Sequence, residues 1–446
     1  MRLVLRLLGA ILALVLLLVA VSAWALWRSL PPGRESRGVQ GLEGPVTITV
    51  DSLGVPTIFA TTANDIAFGQ GYAHARDRRF QMELIRRNAA GRLSEIFGAL
   101  ALDADRESRM LGFGALAESV LTRVSPERRA RLVAYAAGVN AWDHSHPVPP
   151  EFLALRIPRE PWRAEDFVLV LASMFRDLQY EGENERMFAV MDAALPRVLV
   201  DFLTPDATPM DVVPGGGATP ASPATPAPAD VDLRTRAHAE QREAAVLLHA
   251  RAPGPPRGAA TARGSDGEPD LMRGEPARGS NHWAIAAART RNTRAILSGD
   301  PHLGLRVPTL WHRQRLEAPG VAVTGITLPG APDVIMGSNG KVAWSFTNVE
   351  GDFIDYVRVL AADPETLSYA GPEGAEPFRL RREIIAVRGA PAETLIVRET
   401  RWGPVLGPAA GGGLFAIQWV GLDPTSYDFD MLDMGRALGL DELVQA

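Results

Sequence analysis

The chain has 446 residues, 46% of them hydrophobic and 22% charged, with a formal net charge of −6. That much apolar material can build a large core, which excludes a wholly disordered chain, and the acidic balance argues against nucleic acid as a partner. The absence of cysteine excludes disulfides, thiolate metal sites, iron–sulfur clusters and a cysteine nucleophile. Lys341, in an Asn-Gly-Lys turn, is the one lysine, so lysine chemistry is confined to that turn; codon bias accounts for arginine elsewhere.

Leu7 to Trp27 is 21 residues without a charge, preceded by Arg2 and Arg6. About 20 apolar residues span a bilayer as a helix, and the flanking arginines put the rest of the chain outside. Ala23-Trp24-Ala25 also resembles a signal-peptidase site, though the apolar run is longer than the ~7–15 residues of a usual signal core. Membrane anchor and cleaved signal both fit residues 1–30. Both place the body in the periplasm or another extracytoplasmic space, held to the inner membrane if the segment stays.

Residues 44–60 alternate Val46, Ile48 and Val50 with threonines, then turn at Gly54 and Pro56, which predicts a strand pair. Residues 65–97 carry long helical periodicity and include His74, expected to be a satisfied, partly buried histidine. Helices are also expected at 127–142 and 164–177, the latter entered through Pro161-Trp162 with acids in its first turn. His144 and His146 fall in a proline-flanked loop. Residues 214–229 then hold five prolines, three glycines and five alanines, a composition that cannot bury a core. A second such stretch covers 251–268, and 231–250 between them reads as a surface helix containing His238 and His249. None of these four histidines has companion metal ligands. Beyond the spacer the texture turns to strands, at 283–288, 295–298, 321–327, 342–348 and 353–359. Asn339-Gly340 predicts a hairpin with a type I′ turn.

Standard nucleophile-elbow, zinc-protease, Walker and dinucleotide motifs are absent. The informative stretch stands where the spacer meets the first strand, at Arg278-Gly279-Ser280-Asn281-His282-Trp283. If the Gly279–Ser280 peptide bond is cut, Ser280 carries a hydroxyl and a free α-amine. A hydroxyl needs a base to attack. An α-amine has a pKa of about 7.7–8.0, within range of a general base near neutral pH. One residue then supplies nucleophile and base. Before the cut, the same hydroxyl could attack the Gly279 carbonyl and make cleavage autocatalytic. A plain turn would explain Gly-Ser-Asn equally well, as it does at 337–339.

The wider pattern resembles the penicillin amidase (penicillin acylase) family of N-terminal nucleophile hydrolases, which includes cephalosporin and acyl-homoserine lactone acylases. The motifs that carry the resemblance are Gly71-Tyr72-Ala73-His74-Ala75-Arg76-Asp77-Arg78, Phe80-Gln81-Met82-Glu83, Gly91-Arg92-Leu93-Ser94-Glu95, Gly279-Ser280-Asn281-His282-Trp283, Gly299-Asp300-Pro301-His302-Leu303, Gly325-Ile326-Thr327-Leu328-Pro329-Gly330, Ala343-Trp344 and Thr347-Asn348.

The resemblance implies roles for particular residues. Ser280 matches the nucleophile, and His302 a position in contact with it. Val349 matches a residue whose backbone N–H serves the oxyanion hole. Asp352, Ile354 and Asp355 match a calcium-binding run, to which Glu185, with Glu183 as its competitor, would be added from the first block. A solvated loop is the plainer reading of the same acids. Leu303, Ile335 and Met336, with Met174 and Phe175, fall near acyl-pocket positions, and core packing is the commoner fate of such residues.

The implied fold is α+β, an Ntn-hydrolase-like four-layer αββα arrangement with two stacked antiparallel sheets. The implied organisation is an anchor or signal at 1–30, a helix-rich small-subunit-like block at 31–204, a spacer at 205–279 and the start of a large-subunit-like block at 280–446. The two subunits would derive from one precursor. Because 167 residues follow Gly279, the chain reads as C-terminally truncated relative to the family. The second oxyanion donor, an asparagine, and a further calcium aspartate would lie beyond it. The implied activity is hydrolysis of an acyl amide, a penicillin or related N-acyl compound, through a serine acyl-enzyme. An acyl-homoserine lactone or cephalosporin acylase is the alternative, and an inactive anchored fragment or binding protein a further one.

Overall fold

A computed structural model describes residues 2–179, 181–205, parts of 207–229, and 279–445 apart from 304–305, 350, 361–366 and 410–411. The helix expected at 231–250, with His238 and His249, and the stretch 251–268 lie outside the described residues.

The apolar N-terminus forms one helix, α1 (Arg2–Ser29), long and apolar enough to cross a membrane. No residue of α1 is buried, and only Ala25 and Ser29, four apart on one face, are half-buried. The expected strand pair follows as β1 (Thr47–Val50) and β2 (Pro56–Phe59), antiparallel with Thr47 opposite Phe59. Its turn is closed by the Asp51 carboxylate, which accepts from the Leu53 and Val55 amides at 2.8 and 2.9 Å.

The long periodic segment becomes α2 (Ala63–Ala90), capped by the Thr62 hydroxyl on the Asp65 amide. It stops before the expected Phe97 because Gly91 adopts left-handed backbone, φ +63°, and donates its N–H to the Arg87 and Asn88 carbonyls. A short α3 (Ser94–Phe97) follows, then α4 (Leu102–Leu111), α5 (Phe113–Arg123), α6 (Pro126–Ser145), α7 (Pro150–Leu155), α8 (Ala164–Leu178), α9 (Glu181–Ala194) and α10 (Arg197–Leu203). α2 and α6 cross at Gly71 and Gly138. A Cβ on Gly71 would overlap the Tyr135 carbonyl oxygen, and one on Gly138 that of Phe68. His144 and His146 are not in a loop. Leu132, Tyr135, Val139 and Trp142 keep one face of α6 buried to its end, so the helix runs through His144 and is capped by His146, which stacks on Trp142.

The second block opens on a hairpin of β3 (Gly279–Ile285) and β4 (Ile296–His302). Then β5 (His312–Ala318), β6 (Val321–Thr327), β7 (Val334–Ser338) and the two-residue β8 (Ala343–Trp344) join β1 and β2 in one sheet, ordered β1-β2-β5-β6-β7-β8. The pairing of β2 with β5 is parallel, Thr57 opposite Arg315, which departs from the expected all-antiparallel sheets. The physical reason is the connection: the entire helical block lies between the two strands, and such a long crossover permits a parallel pair.

The expected strand at 342–348 ladders only at 343–344. The Asn339-Gly340 hairpin exists, but Asn339 does not take positive φ; only Gly340 does, at +80°. The Asn339 side chain instead accepts from the Lys341 and Val342 amides and donates to the Gly435 and Ala437 carbonyls, so it is a bracket rather than a type I′ turn residue.

The remaining strands are β9 (Ile354–Val359), β10 (Ser368–Gly371), β11 (Gly374–Pro377), β12 (Arg379–Ile385), β13 (Glu393–Glu399), β14 (Val405–Pro408) and β15 (Leu414–Trp419), followed by α11 (Leu440–Gln445). β14-β15-β9 is a separate antiparallel sheet. The β12–β13 hairpin docks on α4 through Arg106–Glu393 and Arg109–Glu383. The main core is formed by α2, α5, α6 and α8 closing on Leu310, Leu328, Ile354, Ile417 and Trp419 from the second block.

Beneath this core lies a buried ionic cluster. The Glu83 carboxylate, fully buried on α2, accepts from Arg79 at 2.9 Å and from Arg86 and Arg87 at 2.6 Å each. Those arginines reach onward to Asp143, Asp166 and Glu160. The family-like segments 80–83 and 91–95 are therefore scaffold, tying α2 to α6, α8 and the loop before α8.

Candidate active site

The β3–β4 register decides what surrounds the Gly279–Ser280 bond. Gly279 stands opposite His302, Ser280 opposite Pro301 and Asn281 opposite Asp300. Side chains alternate faces along a strand. His302 therefore shares a face with Asn281 and Asp300, and its Nε2 lies 3.1 Å from Asp300 Oδ2 and 3.4 Å from Asn281 Nδ2. Ser280 belongs to the other face, with Pro301 and Gly299. The register brings the His302 main chain beside the bond, while the imidazole sits across the ribbon from the hydroxyl.

The Ser280 face looks toward the end of the main sheet. A Cβ on Gly299 would overlap Ser345 Oγ and come 3.2 Å from Met336 Sδ, so the hairpin packs directly over β7 and the segment after β8. That segment is held by Asn348, whose Nδ2 donates to the Leu178 carbonyl at the end of α8, 3.0 Å. Val349 follows with its side chain exposed. Leu303, Ile335, Met174 and Phe175 are all partly buried and packed against the main core, whereas Met336 lies outside that cluster with its Sδ 2.9 Å from Ser345 Oγ. Two surface clefts of about 870 and 150 Å³ are lined by residues around Arg37 and Asn140 and around Ile96 and Ile157; neither includes Ser280.

The acids of the expected calcium site are neighbours electrostatically. Asp352 and Asp355 are exposed at the start of β9, and Glu185 on α9 is half-buried. The Glu185 carboxyl is pushed up, first by burial and then by the negative charges of Asp352 and Asp355. Three mutually repelling carboxylates and the Ile354 carbonyl suit a hard, oxygen-ligated cation. Among the described residues, however, no group of three or more such side chains is gathered closely enough to hold a metal ion.

Two buried polar features lie outside the predicted site, and the sequence reading named only the first, His74, as a satisfied histidine. His74 is fully buried, not partly so, with Nδ1 2.7 Å from the Tyr135 hydroxyl and Nε2 2.8 Å from Thr327 Oγ1. Burial, helped by the neighbouring His312, holds it well below the usual histidine range. Beside it His312 pairs with Asp77 at 2.9 Å. The second feature is Asp333, buried just before β7 with Oδ1 lacking a hydrogen-bond partner. Burial and the nearby Asp428 charge push its carboxyl up to about 7. A lone acid between Leu328-Pro329-Gly330-Ala331-Pro332 and Val334-Ile335-Met336 was the signal that could have marked it.

Because the folded chain keeps the Asp333 proton until about pH 7 while the unfolded chain loses it near 4, this group's stabilising contribution is complete at low pH and is lost as pH rises through 7. Asp333→Asn keeps the site neutral. Its melting temperature should gain on the parent's as pH goes from 5 to 8; a gap that does not change with pH would refute this.

Residues 45–446 match the model of the penicillin amidase family, and the chain belongs to that family. It is 30% identical over 386 residues to the acyl-homoserine lactone acylase QuiP of Pseudomonas aeruginosa, covering 86% of this chain and 42% of that protein. It is 32% identical over 419 residues to the penicillin acylase 2 proenzyme of Pseudomonas sp. strain SE83, covering 92% and 50%. A solved thermostable penicillin G acylase from Alcaligenes faecalis aligns at 25% identity over 41% of this chain and 98% of that one, with a TM-score of 0.33, too low to bear on the fold. The chain spans about half the length of the curated relatives it matches.

Proposed function

We propose that the chain is an amidohydrolase precursor that cuts itself between Gly279 and Ser280 and then cleaves acyl amides with the freed serine. The observation that carries this reading is the position of the Gly-Ser bond, at the first step of a strand, in a chain of the penicillin amidase family.

In the first reaction Ser280 Oγ adds to the Gly279 carbonyl carbon and the C–N bond breaks. The acyl group moves to oxygen as the amine takes up a proton, and water then hydrolyses the ester. The two products are a C-terminal Gly279 carboxylate and an N-terminal Ser280. In the second reaction the α-amine takes the hydroxyl proton as Oγ attacks the substrate carbonyl. The oxyanion that develops is met by the Val349 N–H, a fixed donor of the kind worth ~2.7–4 kcal/mol. The proton passes to the leaving amine, and water releases the acid from the acyl-enzyme. His302 acts through its main chain at the ribbon edge, with its ring held by Asp300. Leu303, Ile335 and Met336 line the acyl chain's path. The active form takes the family's four-layer αββα arrangement, as two subunits from one precursor, in an extracytoplasmic compartment.

Substrates are the acyl amides named for the relatives, acyl-homoserine lactones and penicillins; the P. aeruginosa relative favours the former. Intact-mass measurement on the expressed chain should find two pieces divided before Ser280. Release of amine from chromogenic long-chain and phenylacetyl amides then separates the two substrate classes. A stable uncut chain with no turnover would refute the reading.

We further propose that calcium is bound by Asp352, Asp355, Glu185 and the Ile354 carbonyl, drawn together as the ion relieves their mutual repulsion. It would be structural, tying α9 to β9. Chelator should lower the melting temperature and added calcium restore it; indifference to both would refute the site.

A further inference from the structure

We propose that the turn after α3 and the helix α7 form a membrane-contact surface, seated on the outer face of the bilayer that α1 enters. The proposal rests on α1 being membrane-inserted, at least before any cleavage.

α1 touches the body at α7, and its half-buried residues, Ala25 and Ser29, fall in its last two turns. Trp24 and Trp27 stand at the same level, where aromatic side chains mark a membrane–water boundary. α7 is therefore at the height of the bilayer surface. It shares a small cluster with the α3 segment: Ile96, Phe152 and Ile157 are buried together. Arg388 locks the two elements, donating to the Ile96 and Leu155 carbonyls at 3.1 and 2.7 Å.

From this rigid pair three apolar side chains project outward. Leu100 is 96% exposed, Leu153 56% and Phe97 38%. A leucine that protrudes almost completely from a braced turn gains nothing in water, and apolar tips beside a membrane helix are what an interfacial contact buries. Arg156 and Arg28 lie on adjoining chain segments, so long basic side chains can reach lipid headgroups.

The chain has no cysteine, so Leu100→Cys supplies a unique attachment point for an environment-sensitive dye at a residue the fold does not use. Arg401→Cys is the control; Arg401 is exposed near the far end of the β12–β13 hairpin from Arg388, a strand length or roughly 20 Å away. The full chain is reconstituted into vesicles of phosphatidylethanolamine and phosphatidylglycerol. The label at 100 should shift to the blue and be quenched by spin-labelled lipid, while the label at 401 stays aqueous. An aqueous signal at both positions overturns the proposal. The mass of the vesicle-bound protein reports separately whether residues 1–30 are retained, so loss of the anchor and failure of the surface are told apart. A buried label at 100 on a chain lacking α1 still supports the surface.

Discussion

Glu83→Ala should destabilise the protein by about 3–5 kcal/mol, the cost of removing one partner from a buried ion pair. The carboxylate is fully buried and is the common acceptor of three guanidinium groups, each nearly inaccessible to water. Burial alone would raise its pKa; the charges of Arg86, Arg79 and Arg87 outweigh burial and hold it below the ordinary value. With alanine there, Arg79 retains Asp143, Arg86 retains Asp166, and Arg87 retains Glu95 and Glu160, but the cluster loses its central negative charge. Glu83→Gln keeps the shape and removes the charge, so a similar loss for both variants assigns the effect to electrostatics. Urea denaturation of the three proteins reads it. A change below 1 kcal/mol for Glu83→Ala would mean the arginines find adequate partners among themselves and the outer acids.

Ser280→Ala should leave a single chain uncut between Gly279 and Ser280 and remove amide hydrolysis. The loss should be of the order of 10⁶, as found for removal of a serine nucleophile in serine proteases. Both losses share one cause, since alanine can attack neither the Gly279 carbonyl nor a substrate. Ser280→Thr retains the hydroxyl on a β-branched carbon and should slow cleavage rather than abolish it. The pair of variants separates chemistry from folding. An uncut Ser280→Ala chain with the parent's melting temperature places the defect in the nucleophile; cleavage persisting in that variant would refute autocatalysis by Ser280.

Much of the fold was legible because its elements carry strong local signals. The apolar run of α1, the 3.6-residue stripe of α6 and α8 and the alternation of β1 each depend on near neighbours in sequence. What failed was what depends on distant partners. The parallel β2–β5 seam joins residues more than 250 positions apart, and no local pattern encodes it. The Asn339 turn differed because its side chain is recruited by carbonyls at 435 and 437. At the candidate site, the Gly279–Ser280 signal and the acids at 352 and 355 were visible as types in a pattern. Their mutual geometry was not: strand alternation, set by the β3–β4 register, puts the His302 ring on the face away from Ser280. Asp333 went unread because a buried acid looks, in sequence, like a surface one.

The seam between β2 and β5 bears on what severing the backbone would do. The first block contributes β1 and β2, the two strands at one end of a sheet whose other four members belong to the second, and Arg78 grips the Thr309 and Trp311 carbonyls from α2. The two halves are joined edge to edge along that seam as well as packed through their helices. Scission would therefore free an amino group without freeing a fragment. The pieces would copurify through native chromatography and come apart only in denaturant, and neither half, made separately, could complete its own sheet.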